Sequence, residues 1–554
     1  MEEKKNRFYV TTSIAYANSV PHIGFAMEAL QADVLARYHE LKGDEVFFCS
    51  GTDEHGSKIK RTATEKGLEP QAFVDGNAAR FKELLKALNV SNDIFIRTTD
   101  EKHKIAAQKL WMKLYEAGDI YDKTYKGKYC VGCEAFLTEK DLVDGKCPYH
   151  QKEPEEVDEK NYFFKVSRYL PGIKEKIKSG EIEVIPEARK NEILNIIEDA
   201  EKEKMDVSFS RSKNVLDWGV PVPNDSEQTM YVWCDALTNY ISALGYGECE
   251  DSLLERGKGC VNFEKFWLDN KNITHVIGKD ILRFHAMVWP AMLLSAGLPL
   301  PKKICVHSFI TSGGQKMSKS LGNVIDPFEV IEKYGVDPMR YYLLKEIPTT
   351  EDGDFSYERF EEVYKSDLQN GLGNLVARVL AMTEKYFEGK VPEVDLEKTG
   401  LAEEIGETLF NSSMEENQWI FKSVDNKLEE FRLDKTLGLI ISFGDTNNPD
   451  LKGGLVSKLD RYITATEPYK LIKTAQKETA IIIYNLLENL RQIAWMIRPF
   501  MPETSDKIFE QLFVNEVDRK VELAKNFEEI QKWGGLKPGT CVQKGESLFP
   551  RLEK

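Results

Sequence analysis

Two pairs of β-like runs, far apart in the chain, limit how this sequence can fold. Phe8 to Thr12 alternates bulky and β-branched residues and predicts a strand. A loop over Ser13 to Pro21 follows, and then Met27, Leu30, Val34, Tyr38 and Leu41 recur at helical spacing until Gly43. Glu45 to Cys49 predicts a second strand, closed by the turn-rich Gly51-Thr52-Asp53-Glu54-His55-Gly56. Strand, helix and strand in this order make a parallel βαβ unit, whose ligands sit at the carboxyl ends of the strands. The pattern resumes at Thr274 to Ile277 and at Ile304 to His307, each followed by polar loop residues. The sheet is therefore split, with residues 101–230 inserted between its halves. After Tyr364 the strands stop and amphipathic helices take over, with Leu375, Val379, Met382 and Tyr386 on one stripe and a loop near Asn447-Asn448-Pro449.

At 554 residues the chain exceeds one hydrophobic core and should hold about three or four domains. With 42% hydrophobic and 30% charged residues it reads as soluble and globular. No apolar run approaches the roughly twenty residues of a membrane helix, and MEEKKNRFYV lacks a signal-peptide core. A cytoplasmic protein with no membrane partner is expected. Nine cysteines, scattered except for one cluster, argue against a disulfide framework and for a reducing compartment. The net charge of −16 argues against tight non-specific binding to phosphate backbones, yet leaves room for a selective RNA binder with a local basic surface.

Lys316-Met317-Ser318-Lys319-Ser320 places two ammonium groups just after Gly313-Gly314, a pair that can act as a hinge, so the segment can swing both charges onto a polyphosphate. Taken alone it would be a solvated loop. Pro21-His22-Ile23-Gly24-Phe25 lies where a loop becomes a helix, so the His22 imidazole and the helix N-terminus can both face an anion. Gly24 would let an adenine or ribose approach the backbone closely. Taken alone, His22 would be a cap and Gly24 a turn residue. Cys130-x2-Cys133-x13-Cys147-x2-His150 has the spacing of a tetrahedral Cys3His zinc site. Four protein ligands leave no open coordination position, so the metal would be structural.

An early His-x-Gly element with a later Lys-Met-Ser-Lys-Ser is the paired signature of class I aminoacyl-tRNA synthetases, and this chain resembles that class. Its single zinc knuckle in a modest insertion is similar to the connective domain of the methionyl-tRNA synthetase family. The leucine, isoleucine and valine enzymes carry larger insertions with an editing domain. The resemblance runs from Arg7 to Lys537-Pro538-Gly539-Thr540. It implies an α/β protein with a split Rossmann-like, parallel-sheet catalytic domain (1–100 and 231–310), a zinc-bearing insertion (101–230), a linking domain with the lysine loop (311–368) and a C-terminal α-helical bundle that reads the anticodon (369–554).

By the same resemblance His22, Lys316 and Lys319 are catalytic, with Lys319 on the phosphates during the chemical step. His22, Gly24, Phe25, Gly278, Asp280 and Lys319 would hold ATP, with Asp280 accepting from the ribose hydroxyls. The family usually has a second histidine where this chain has Phe25, and losing one such donor costs about 3 kcal/mol if nothing compensates. A methionine site should be apolar, aromatic and able to touch sulfur, with a carboxylate for the ammonium. Ile14, Tyr16, Trp233, Ala236, Leu237, Tyr240, Phe284 and His285 match it, Asp53 would take the ammonium, and Arg211 would lie nearby. Asn374 and Arg378, spaced i, i+4 on one helix face, match the family's anticodon pair; Pro468-Tyr469 replaces the usual Pro-Trp, and Tyr469 can still stack on a base.

The implied activity is methionine–tRNA ligation. L-Methionine and Mg-ATP give methionyl-adenylate, and the methionyl group passes to the 3′-terminal adenosine of tRNA(Met), which bears a CAU anticodon. Zinc is expected as a structural cofactor, Mg2+ with ATP, and a monomer as the assembly. Two rivals are a class I synthetase for another small amino acid such as cysteine and a non-catalytic tRNA-binding paralogue. A cysteine enzyme would want an open zinc position for the substrate thiolate. Phe25 is the one residue that favours the paralogue.

Overall fold

The computed structural model describes residues 5–130, 135–137, 142–148, 151–248, 261–317, 323–396, 399, 414–441 and 453–552. The chain divides into two compact units. The first comprises residues 1–32 and 45–307, and the second comprises 33–44 and 308–554.

The first unit is built on a seven-stranded parallel sheet. In chain order its strands are β1 (Arg7–Thr12), β2 (Ala15–Tyr16), β3 (Glu45–Asp53), β4 (Ile94–Arg97), β5 (Glu183–Ile185), β6 (Ile273–Gly278) and β7 (Lys303–His307). They lie in the order β2-β3-β1-β6-β7-β5, with β4 also paired to β3. The neighbours β1 and β6 pair Tyr9 with Ile273 through Thr12 with Val276, so the early and late runs form one sheet. Both faces are covered, which suits strands of nearly continuous apolar sequence. Trp267 and Trp289 are fully buried beside it.

Two local readings change. β3 does not stop at Cys49 but runs on to Asp53, so Gly51, Thr52 and Asp53 are strand rather than turn. Pairing on both sides holds it extended: β4 spans Cys49 to Thr52, and β2 lies opposite Thr52 and Asp53. Gly51 makes that possible, because a Cβ there would collide with the Ile96 carbonyl oxygen. The short β2 also lies inside what reads as loop. Within the inserted stretch, strands Ile120–Cys130, Ala135–Leu137, Glu155–Phe164 and Val207–Ser208 form a separate antiparallel sheet, whereas β5 returns to the central one.

The second unit carries a small sheet and the helices. Ile310–Ser312 pairs antiparallel with Gln315–Lys316 across Gly313 and Gly314, whose φ values of 64° and 70° fit a type I′ hairpin turn. Asp354 accepts from the Gly314 N–H (2.8 Å) and the Thr311 hydroxyl (2.7 Å). The glycine pair is therefore a pinned hairpin tip, not the hinge its composition suggests. In the helical part Arg491 is fully buried and donates to Glu488 (2.7 Å), Glu522 (2.9 Å) and the carbonyls of Ile530 (3.2 Å) and Lys532 (2.8 Å). Glu488 accepts in turn from the N–H groups of Gly535 (3.0 Å) and Leu536 (2.9 Å). A Cβ at Gly535 would strike the guanidinium.

Candidate active site

Ile14, Asp53, Gly278 and Asp280 lie at or just beyond the carboxyl ends of β1, β3 and β6. His22 precedes the helix Ile23–Leu41, and its Nδ1 accepts from the Gly24 N–H at 3.0 Å. In the neutral ring the proton is thereby placed on Nε2. A Cβ at Gly24 would come within 2.9 Å of the His22 ring, so the glycine's first task is to admit this cap. Phe25 points the other way. Its ring is buried and stands edge-on to Phe81, with centroids 4.8 Å apart and planes at 89°. Its side chain belongs to the core.

Beyond β6, Gly278 leads into the short turn Lys279–Ile281; a Cβ at Gly278 would sit 2.9 Å from Asp280 Oδ1. Beside it lies a group the sequence reading passed over. Buried Glu28 accepts from Ser13 Oγ at 2.6 Å and pairs with His307 Nε2 at 2.8 Å, joining the ends of β1 and β7 to the first helix. An acidic residue within the apolar run Ala26-Met27-Glu28-Ala29-Leu30 was the available signal.

The residues expected around methionine largely assemble. Trp233 and Phe284 stack face to face at 3.9 Å, and His285 stands edge-on to Trp233 at 6.2 Å. The Tyr240 hydroxyl and His285 Nε2 are 2.6 Å apart, while His285 Nδ1 lies 3.0 Å from the Ile281 carbonyl. A carbonyl only accepts, so Nδ1 carries the proton and Nε2 accepts from Tyr240. Burial pushes His285 down to about 4, so the ring is neutral at physiological pH. Tyr240 is itself held by the Tyr9 hydroxyl, which donates to its carbonyl at 2.8 Å. Phe284 and His285 ride on a π-helical turn, Phe284–Val288. Trp233 and Ala236 lie on the short helix Val232–Ala236, and Tyr240 on the next turn, Asn239–Ser242, with Leu237 between them.

Ile14, Trp233, Leu237, Tyr240 and Phe284 share one apolar cluster. Tyr16 does not; it packs with Ala17, Ile59, Phe73 and Trp218, and Lys58 lies over its ring at 5.8 Å. Its backbone is nonetheless opposite Asp53 across the sheet. Arg211 is buried over the Tyr231 ring at 4.8 Å and donates to Ser208 Oγ at 2.7 Å.

Of the expected zinc ligands, Cys130 and Cys147 are buried. Cys130 lies opposite Ala135 in an antiparallel pair. The Gln151 N–H donates to the Cys147 carbonyl at 2.8 Å. Cys133 and His150 lie outside the described residues, and among the described residues no three potential ligands cluster. Lys319 and the side chain of Lys316 also lie outside the description.

In the second unit Asn374 opens the helix Asn374–Phe387 and is exposed, while Arg378, one turn on, is ion-paired with Asp460. Tyr469 is 43% exposed on the turn Pro468–Leu471, its hydroxyl donating to Glu467 at 3.2 Å.

A parallel sheet whose strand ends gather a capped histidine, close-approach glycines and an aromatic cluster defines a nucleotide-dependent enzyme core of the class I synthetase kind. The family model "tRNA synthetases class I (M)" matches residues 8–159 and 150–380. The methionine–tRNA ligase of Caldanaerobacter subterraneus subsp. tengcongensis is 43% identical over 99% of this chain and 79% of its own length. That of Rhizobium meliloti is 39% identical over 98% of both chains. The structure of Mycobacterium tuberculosis methionyl-tRNA synthetase in complex with methionyl-adenylate superposes with a TM-score of 0.85 at 34% identity, covering 99% of this chain and all of that one. The chain belongs to the methionyl-tRNA synthetase family of class I aminoacyl-tRNA synthetases.

Proposed function

We propose that the chain is a methionine–tRNA ligase. The carrying observation is the uncharged aromatic group of Trp233, Phe284, Tyr240 and neutral His285, built on the same unit that carries Asp53 at the end of β3 and His22 at the start of the first helix. A thioether is soft and apolar, so ring faces and edges recognise it. Asp53 takes the substrate ammonium. The methionine carboxylate attacks the α-phosphorus of ATP, and the bond to the pyrophosphate oxygen breaks.

His22 donates from Nε2 to a phosphate oxygen, Asp280 accepts from the ribose, and Lys319 with Lys316 neutralises charge as pyrophosphate departs. Mg2+, bound to ATP as part of that substrate, would supply positive charge to its phosphates. The 2′-hydroxyl of the terminal tRNA adenosine then attacks the acyl carbon, and AMP leaves. Asn374, Arg378 and Tyr469 meet the CAU anticodon of tRNA(Met) in the helical unit. Two buried thiols, Cys130 at the end of a strand of the inserted sheet and Cys147, fit a structural zinc that Cys133 and His150 would complete. The enzyme acts as a monomer in the cytoplasm.

The test is ATP–pyrophosphate exchange with methionine, cysteine and leucine as separate substrates. Exchange with methionine alone is expected. Exchange with cysteine would favour the small-amino-acid rival, and none with any of the three would favour the non-catalytic one.

A further inference from the structure

His55, Asp235 and His103 form a fully enclosed group that none of the proposed chemistry uses. Asp235 is 1% exposed, His55 3% and His103 0%. A carboxylate this deep is tolerable only when both oxygens are satisfied. Here one oxygen lies 2.6 Å from His55 Nδ1 and the other 2.8 Å from His103 Nε2. Burial alone would raise the carboxyl; the two imidazoles outweigh it and hold Asp235 at about 2.

The connections matter more than the charge. Asp235 sits on Val232–Ala236, the helix that carries Trp233. His103 uses its other nitrogen on Ser242 Oγ, 2.8 Å away, on the turn that carries Tyr240. One imidazole thus staples both aromatic turns to the helix Glu101–Glu116. His55 comes two residues after Asp53, and the residue between them is immobilised: Glu54 takes two hydrogen bonds from Arg97, at 2.7 and 2.8 Å, and one from Thr52 at 2.6 Å.

We propose that His55, Asp235 and His103 are positioning residues that fix the separation between the Asp53 carboxylate and the Trp233–Tyr240 aromatic group, so that the site measures the length of its amino-acid substrate. This rests on the reading of Asp53 and the aromatic group as the methionine site. Methionine is an unbranched chain between an ammonium and a terminal methyl, and a rigid span between its two end contacts discriminates against shorter and longer homologues. Asp53 and Trp233 lie on separate elements, and the relay makes their spacing a property of three hydrogen bonds rather than of two flexible connections.

The experiment is ATP–pyrophosphate exchange by the purified full chain with L-methionine, L-homocysteine and L-ethionine, measuring KM for each amino acid and for ATP. His55→Ala should raise the methionine KM about tenfold, leave the ATP KM within about twofold, and cut the preference for methionine over both homologues by about tenfold. His55→Asn places an amide nitrogen near the position of Nδ1 and should recover most of that loss. Asp235→Asn should shift KM and preference in the same direction as His55→Ala, and it decides the matter if the alanine variant does not fold. A parallel rise in the methionine and ATP KM values, or an unchanged preference among the homologues in both variants, would overturn the relay. If the unaltered protein shows no methionine-dependent exchange, the site reading beneath it fails as well.

Discussion

Replacing Phe25 by histidine would put the family's usual residue into the phosphate-facing motif, and the structure says that this weakens the protein instead of speeding it. The Phe25 ring is 8% exposed and meets the Phe81 edge at a centroid distance of 4.8 Å. Losing such an aromatic pair costs about 0.5–1.5 kcal/mol. An imidazole in the same place brings polar nitrogens into an apolar contact, at about 1–3 kcal/mol. The total is roughly 1.5–4.5 kcal/mol, which for a unit of about 300 residues lowers the unfolding temperature by roughly 3–8 °C. Differential scanning calorimetry measures the shift, and exchange assayed well below the transition measures the chemistry. We expect a clear loss of stability and no gain in kcat. An unchanged transition with faster exchange would refute the argument, since it would mean that the side chain turns from the core to the nucleotide without cost.

Lys319→Ala should lower kcat of exchange far more than it raises the methionine KM, because its ammonium meets charge that develops in the transition state. The purified protein should contain one zinc, and chelation should loosen the inserted sheet, read as faster proteolysis between residues 120 and 164; a Cys130→Ser/Cys147→Ser variant that keeps its zinc would exclude the site. Arg378→Ala should impair charging of tRNA bearing CAU while leaving tRNA-free exchange nearly intact, and equal loss in both assays would place Arg378 in the folding core. His285 has its folded value lowered from 6.5 to about 4, so the native state refuses a proton that the unfolded chain accepts, and stability falls as pH drops from about 6.5 toward 4. The urea midpoint of His285→Gln should therefore decline less steeply over that interval.

The split sheet was legible because its strands are buried on both faces and read as apolar runs. The first helix likewise occupies Ile23–Leu41, where periodicity puts it. The sequence misled where tertiary pairing outweighs composition. Gly51-Thr52-Asp53 has turn residues, yet strands on both sides extend it. Gly313-Gly314 has hinge residues, yet Asp354 pins them from a strand some forty positions on. Motif matching located the aromatic residues but could not show which way Phe25 points, nor that Tyr16 packs in another cluster. Glu28, His55, His103 and Asp235 were missed for a related reason. Glu28 stands out only as an acid in an apolar run and the other three are ordinary polar residues in sequence; the fold brings partners 132 to 279 positions apart into contact.

The buried arginine of the second unit has a consequence for how this chain is made. Arg491 and Glu488 lie on the helix Gln476–Ile497, but groups that complete their hydrogen bonding follow 39 to 48 residues later, at Ile530 and Leu536. These partners are synthesised after the helix, so the native sealing of its two charges from water requires the segment through residue 536.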